Sequence, residues 1–357
     1  MRLSKSIKSK PNEKFAKILS KKGLSLNKFI SDKNDRLDIV LSLELKSSTS
    51  QICNLIKSKF VKINEKIITK PSFMVKFGDE ISYILPNLPK PQISPNLPNL
   101  SVEVLFEDDD ILVINKPSGL VVHEAPSVKE ATLVDWLKAN NYELSTLSGE
   151  FRAGIVHRLD KGTSGVMVVA KNNATAVNLS AQLSTKSMGR IYLMITDLPL
   201  KQNCIINRPI GRNNANRLKK AIVANGRMAK SAFANIFLDE NLDNNFKSNT
   251  KFTPNLVAAK LFTGRTHQIR VHLASINRHI LGDDLYGYKG NNDKIKRILL
   301  HAYLLRLNHP KTNEQMQFVA PLGAEFYNIL QKESLDEKIN PNLLCDIFEF
   351  CDEWLSI

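Results

Sequence analysis

The chain has 357 residues, 43% hydrophobic and 24% charged, and its 50 Lys and Arg outnumber 35 Asp and Glu to give a net charge of +15. That is room for two self-burying domains of ordinary soluble composition, and the charge points to a polyanionic partner without specifying a fold. No run approaches the roughly 18 apolar residues of a membrane span, no apolar stretch of about 7–15 residues opens the chain as a secretory signal would, and Cys53, Cys204, Cys345 and Cys351 form no CxxC pair, so no membrane span, disulfide framework or zinc site is expected, and a reducing cytoplasm is.

The charge is concentrated early: residues 1–100 hold 19 Lys and Arg against 8 Asp and Glu, an excess of 11 out of the chain's 15. Residues 1–33 read as a basic, loosely ordered extension with one short helix over Glu13–Leu26. From residue 34 to 85 the pattern tightens. Leu37, Ile39, Val40, Leu41 and Leu43 form an apolar stripe. Ser48-Thr49-Ser50 offers an N-cap to a helix over Gln51–Lys59, on which Ile52, Leu55 and Ile56 recur at helical spacing. Val61–Asn64 alternates as a short strand, and Gly78-Asp79-Glu80-Ile81 turns into another. Two short helices and small strands ending in Gly-Asp-Glu-Ile resemble the αL RNA-binding module of a small-subunit ribosomal protein. That resemblance implies that Arg36, Ser50, Lys57 and Lys59 face phosphates, where cations release counterions. An arginine usual near Ser48–Ser50 is missing. Five prolines in residues 86–100 mark a semi-rigid linker and a domain boundary.

Beyond it, strands are expected over Val102–Glu107, Ile111–Asn115, Val166–Ala170, Arg190–Thr196, Ala232–Phe237 and Val257–Thr263. Helices are expected over Leu133–Asn140, Ala174–Ser184, Gln268–Ser275 and Pro321–Lys332. Strand-rich sequence with scattered helices reads as an α+β domain, residues 101–325, with a mainly antiparallel sheet. Residues 240–255 and Asn291–Lys296 read as loops, and residues 326–357 as a carboxyl-terminal extension packed on the domain surface. Within this region Asp160 stands between His157-Arg158 and a small-residue turn, Gly162 to Gly165, that feeds an apolar strand. Alone, such a residue reads as a turn aspartate capping its own loop; on a rigid strand edge it can also be aimed at a substrate. A basic segment, Gly211-Arg212 through Arg217, Lys219 and Lys220 to Gly226-Arg227, reads either as a solvated hairpin or as a phosphate contact. His267 and His272, five residues apart, are badly spaced for one metal on a helix. No phosphate-binding GxxxxGK[ST] loop occurs.

His157-Arg158-Leu159-Asp160-Lys161-Gly162-Thr163-Ser164-Gly165 resembles the active-site segment of the RNA pseudouridine synthases, in the branch acting on large-subunit rRNA. Further segments follow in that family's order: Ile111 to His123, Arg190-Ile191-Tyr192, Thr263 to Leu273, Ile280 to Gly287, and Leu300-His301-Ala302 with His309-Pro310. The resemblance implies a bent mixed sheet crossed by a cleft. It makes Asp160 the catalytic carboxylate, as nucleophile or base, with Arg270 as a bidentate partner and Arg265 second. Tyr192 would stack on uracil and help remove the C5 proton. Arg158 would contact the vacated site of an extruded nucleotide or a flanking phosphate, and His157 either the RNA or its own loop. No cofactor and no metal is implied. The partner would be RNA, 23S rRNA or a ribosome-assembly intermediate, and the chain a monomer. Transfer RNA as substrate, and a catalytically silent RNA-binding or ribosome-assembly protein, remain the alternatives.

Overall fold

The computed structural model describes residues 26–45, 49–84, 100–124, 128, 130–236, 254–287, 295–330, 339 and 341–348. The expected helix over Glu13–Leu26 (up to residue 25), Ser48 of the expected N-cap, residues 86–99 of the linker and residues 240–253 of the long loop lie outside them. The chain divides into two compact units, residues 1–93 with 147–150, and residues 94–146 with 151–357.

The amino-terminal unit contains β1 (Leu26–Ile30), β2 (Asp35–Arg36), α1 (Leu37–Glu44), α2 (Thr49–Lys57), β3 (Val61–Ile63), β4 (Lys66–Ile67), β5 (Met74–Val75) and β6 (Glu80–Ile84). Four strands form a sheet in the order β1-β6-β3-β4, and β2 pairs with β5. The apolar stripe at Leu37–Leu43 is a helix that buries Leu37, Val40 and Leu41 at i, i+3 and i+4, while Ile39 and Leu43 are exposed. Ile52 and Ile56 of α2 meet them in one core with Val61 and Ile81. Residues 26–30 are not the loose extension expected: all five pair with β6, from Leu26↔Ile84 to Ile30↔Glu80.

The second unit is built on a nine-stranded, mixed and mostly antiparallel sheet. Its strands are β7 (Glu103–Glu107), β8 (Ile111–Lys116), β9 (Ser164–Ala170), β10 (Gly189–Thr196), β11 (Cys204–Asn207), β14 (Lys230–Asn235), β15 (Asn255–Leu261), β16 (Leu300–Asn308) and β17 (Gln315–Val319); β12 (Ile210–Arg212) and β13 (Lys220–Ile222) form a separate hairpin. The order is β11-β14-β15-β10-β16-β9-β8-β7, with β17 on the second half of β16. The pairing of β16 with β9, His301↔Ser164 and Ala302↔Gly165, is parallel. All seven residues of β9 are buried, as befits a central strand covered on both faces. The helices are α3 (Leu133–Ala139), α4 (Asn173–Thr185), α5 (Gln268–Ala274), α6 (Ala324–Leu330) and α7 (Pro341–Asp346). A reciprocal capping box starts α3: the Thr132 hydroxyl accepts from Asp135 N–H, and Asp135 accepts from Thr132 N–H.

Leu300–Asn308, noted in the sequence only for its first three residues, is the strand on which the sheet branches. It does not alternate because six consecutive residues, Leu300 to Leu305, are buried. The carboxyl-terminal stretch is not a surface covering. Ile339, Leu344 and Phe348 sit in the same core as Tyr303 and Phe326, and the Tyr303 hydroxyl donates to Ile339 O at 2.7 Å. Among the described residues no helix is long and apolar enough to cross a membrane.

Candidate active site

A cavity of about 550 Å³ opens in the second unit where the turn before β9, the start of β10 and the loop leading into α5 converge; Asp160, Tyr192, Arg190 and Arg270 all line it. The turn is held from several directions. Thr163 N–H donates to Asp160 O at 3.0 Å and Gly119 N–H to Lys161 O at 2.8 Å, while the Ser118 hydroxyl donates to Gly162 O at 2.7 Å. Lys116, fully buried, sends its ammonium to Pro117 O and Leu120 O at 2.8 and 2.9 Å and to Lys161 O at 3.4 Å. Burial pulls that ammonium down to about 7, with the charge of Asp160 opposing the shift. The segment Lys116–Gly119 thus serves as a backing plate for Asp160. Gly165 follows at φ +116°, its α-carbon so close to the Ala302 backbone that a Cβ would overlap it.

The loop into α5 is fixed by one amide. Gln268 Oε1 accepts from the Thr263 hydroxyl at 2.7 Å and from Arg265 N–H at 2.9 Å, and its Nε2 donates to Lys230 O and the Ser231 hydroxyl at 3.0 and 2.7 Å. Arg270 projects from α5 with Nη1 3.7 Å from Asp160 Oδ2. Its bidentate partner is not Asp160, as expected, but Asp283. Nε and Nη2 each donate to an Asp283 oxygen at 2.7 Å, and Asp283 Oδ1 also accepts from Leu285 and Tyr286 N–H at 3.0 Å. Two of the three guanidinium nitrogens are therefore committed to orientation, and the third faces Asp160. Burial works against the Arg270 charge, but the bonds and charge of Asp283, and then of Asp160, overcome it and hold its pKa above the usual value.

His267 also approaches the carboxylate, Nε2 to Asp160 Oδ2 3.9 Å. It caps α5 in a left-handed conformation, φ +59°. Its Nδ1 lies 3.0 Å from the Tyr286 hydroxyl, which itself accepts from Lys220 N–H. Nδ1 is thus engaged by the Tyr286 hydroxyl, and Nε2 is the ring nitrogen turned towards Asp160. Burial lowers the His267 pKa, keeping the ring neutral, although Asp160 pulls the other way. The Tyr286 ring also lies under Arg270, 5.0 Å from Cζ to centroid.

Tyr192 is buried in β10, 6% exposed; burial raises its phenol pKa, opposed by Arg190 and aided by Asp160. Arg265 is exposed and makes no ion pair with Asp160; its Nε donates to Met228 O at 3.1 Å. His157 accepts Val168 N–H on Nε2 at 3.1 Å. Burial, then the charge of Arg190, pushes it down to about 3, so it braces its own loop as a neutral ring. Arg158 is exposed beside it on the cavity wall. Arg212 and Arg217 are exposed on the β12–β13 hairpin, with Lys219 and Lys220 half-buried against Tyr286. In the amino-terminal unit Lys57 and Lys59 are exposed, whereas Arg36 is tied to buried Asp38 at 2.7 Å; the side chain of Ser50 lies outside the described ones. His272 is buried on Ser231 and Arg208 O. Among the described residues no three His, Cys, Asp or Glu side chains gather as a metal would require.

The residues that sequence reasoning did not assign are Asp283, His267, Tyr286, Lys116 and Arg190. Gly282-Asp283 carried a signal, an acid closing an apolar run. The partner it would meet could not be read from it.

Comparison with known proteins gives one direction. The family model described as RNA pseudouridylate synthase matches residues 110–275, and that of the S4 domain matches residues 35–81. An uncharacterized RNA pseudouridine synthase of Helicobacter pylori (strain J99) is 45% identical over 325 residues, covering 88% of this chain and 95% of that protein. Ribosomal large subunit pseudouridine synthase D of Zymomonas mobilis is 37% identical over 298 residues, 80% of this chain and 90% of the other. Among solved structures, human RNA pseudouridylate synthase domain containing 1 shares the fold, with a TM-score of 0.50 at 22% identity over 68% of this chain and 95% of the human one.

Proposed function

The chain belongs to the RNA pseudouridine synthases, isomerases that act on RNA, and from that premise we propose that it isomerises uridines of 23S rRNA through Asp160. The observation that carries the reading is the arrangement around that carboxylate: Arg270 Nη1 at 3.7 Å and the Nε2 of neutral His267 at 3.9 Å, in a cavity also lined by Tyr192. Isomerisation breaks the N1–C1′ bond, turns the freed uracil, joins C5 to C1′, loses the C5 proton and places a proton on N1, so substrate and product have the same atoms. Asp160 acts on the ribose side, as nucleophile or as base, and Arg270 balances its charge within a walled site. Tyr192 stacks on the uracil, and its hydroxyl, bonded to no protein group among the described residues, assists loss of the C5 proton. Arg158 contacts the RNA at the cavity rim after the uridine is extruded. The S4 domain, with Lys57 and Lys59 exposed, and the β12–β13 hairpin grip phosphates. Two large-subunit relatives from different bacteria, 37% and 34% identical, support 23S rRNA over transfer RNA.

The test is carbodiimide mapping of pseudouridine on 23S rRNA and total tRNA from cells lacking the gene, complemented with the wild-type protein or Asp160→Asn. Primer-extension stops in 23S rRNA should vanish in the deletion and return only with the wild type. Stops lost from tRNA alone would reassign the substrate, and restoration by Asp160→Asn would overturn the role given to Asp160.

A further inference from the structure

Of the arginines on the cavity wall, Arg158 is exposed to solvent, whereas Arg190 is partly buried and the site geometry leaves it unexplained. Arg270 is spent on Asp283, and Arg265 on Met228 O. Arg190 Nε is buried with no hydrogen-bond partner, and among the described residues no carboxylate pairs with its guanidinium. An unsatisfied buried donor costs stability, on the order of 1–3 kcal/mol, and its survival calls for a reason. The guanidinium lies along the bare backbone of Gly264, where a Cβ would come within 3.1 Å of Nη1, and the residue forms part of the cavity wall. Its charge reaches into the site, since it opposes protonation of His157 and favours ionisation of Tyr192.

The strand supplies the ruler. Arg190 and Tyr192 are two residues apart in β10, so both face the cavity and their α-carbons stand about 7 Å apart. Arg190 is the more exposed of the two and marks the outer end. With uracil stacked on Tyr192, one ribose separates the base from its own phosphates, a span of the same order. A guanidinium cannot deprotonate in a protein and presents a planar fork that matches two oxygens of one anion. In RNA the permanent anion at that distance from a base is the phosphodiester.

We propose that Arg190 is a substrate-binding residue that grips a phosphodiester flanking the extruded uridine, setting how deep the base enters towards Tyr192 and Asp160. The inference rests on the pseudouridine synthase reading and extends it to a residue not counted in the chemistry. The clamp contributes binding of ground and transition states alike, so it acts on KM more than on kcat.

The experiment uses the full chain and total RNA labelled with [5-³H]uridine from cells lacking the gene, following tritium released to water. The variants are Arg190→Met, which keeps length without charge, and Arg190→Lys. Arg190→Met should raise apparent KM roughly 10- to 100-fold, as loss of a charge-assisted contact does, with kcat changed much less. The slope of log KM against log salt should flatten by about 0.7–0.9. Arg190→Lys should restore the slope but only part of the KM. Thermal unfolding of Arg190→Met should be unchanged or higher, because the orphaned donor is gone. A lower midpoint with an unchanged salt slope would make Arg190 structural and overturn the proposal, as would an unaltered KM. No tritium release by the wild-type protein would sink the functional reading, and the clamp with it.

Discussion

Replacing Asp283 by Asn tests the central arrangement of the site. The side chain is 1% exposed and accepts four bonds, two from Arg270 at 2.7 Å and two from backbone N–H groups at 3.0 Å. If the amide keeps its oxygen at Oδ1, the Leu285 and Tyr286 contacts survive. The new NH₂ then faces Arg270 Nε–H, donor against donor. Turning the amide over repairs that contact but sets the NH₂ against Arg270 Nη2–H and breaks the two backbone contacts. Either way Arg270, 11% exposed, loses its ionic partner, and removing one member of a buried pair costs about 3–5 kcal/mol. For a unit of this size that is a fall of roughly 6–20 °C in melting temperature. Freed from Asp283, the guanidinium is expected to collapse onto Asp160, closing the 3.7 Å gap into a direct pair that blocks the carboxylate. Turnover should therefore fall much further than the loss of folded protein explains. The assay is thermal unfolding beside single-turnover tritium release at a temperature where the variant is fully folded. A melting temperature within 2 °C of wild type together with unchanged turnover would refute the claim that Asp283 aims Arg270.

Lys116→Met should destabilise the second unit by about 1–3 kcal/mol, because Pro117 O and Leu120 O lose their donor while remaining buried; equal urea midpoints for variant and wild type would contradict it. Gly165→Ala should not yield folded protein, since φ is +116° and the added Cβ would overlap Ala302 backbone on the neighbouring strand; a soluble variant with native circular dichroism would show that β9 and β16 can separate. Acid should weaken the fold through its histidines. Burial pushes His123 down to about 4 and His157 to about 3, and lowers His267 and His272, whereas in the unfolded chain they titrate near 6.5. Between those values the unfolded state binds more protons, so stability is full above pH ~6.5 and is lost as pH falls towards 3. Urea midpoints should already decline from pH 7 to 5, above the range where the carboxylates titrate; a flat profile there would mean these rings are protonated without cost.

What the sequence determined by itself was local. The turn around Asp160, its strand, and most helices and strands were legible, because each depends on residues within a few positions: a small-residue turn, an apolar run, an i, i+3, i+4 face. The roles of Asp160, Tyr192 and Arg270 were implied only by the resemblance to the pseudouridine synthases. Central strands buried on both faces were harder, and Leu300–Asn308 lacks the alternation that identifies a half-exposed strand. Pairing was decided only by the tertiary structure. Arg270 was expected to hold Asp160 with both arms of its fork, yet Asp283, brought back by the chain reversal after α5, takes two of its nitrogens. Arg265 and Arg190 look alike as neighbours of motif residues. The fold gives one a backbone carbonyl and leaves the other facing the cavity with its Nε unbonded. In the same way, residues 26–30 joined a sheet and Ile339, Leu344 and Phe348 joined a core, although neither segment has a strong pattern of its own. Composition and spacing state which groups a chain carries. Which charge meets which is settled by where distant segments cross, since an ion pair or a buried contact forms over a few ångströms and sequence separation does not enter that distance.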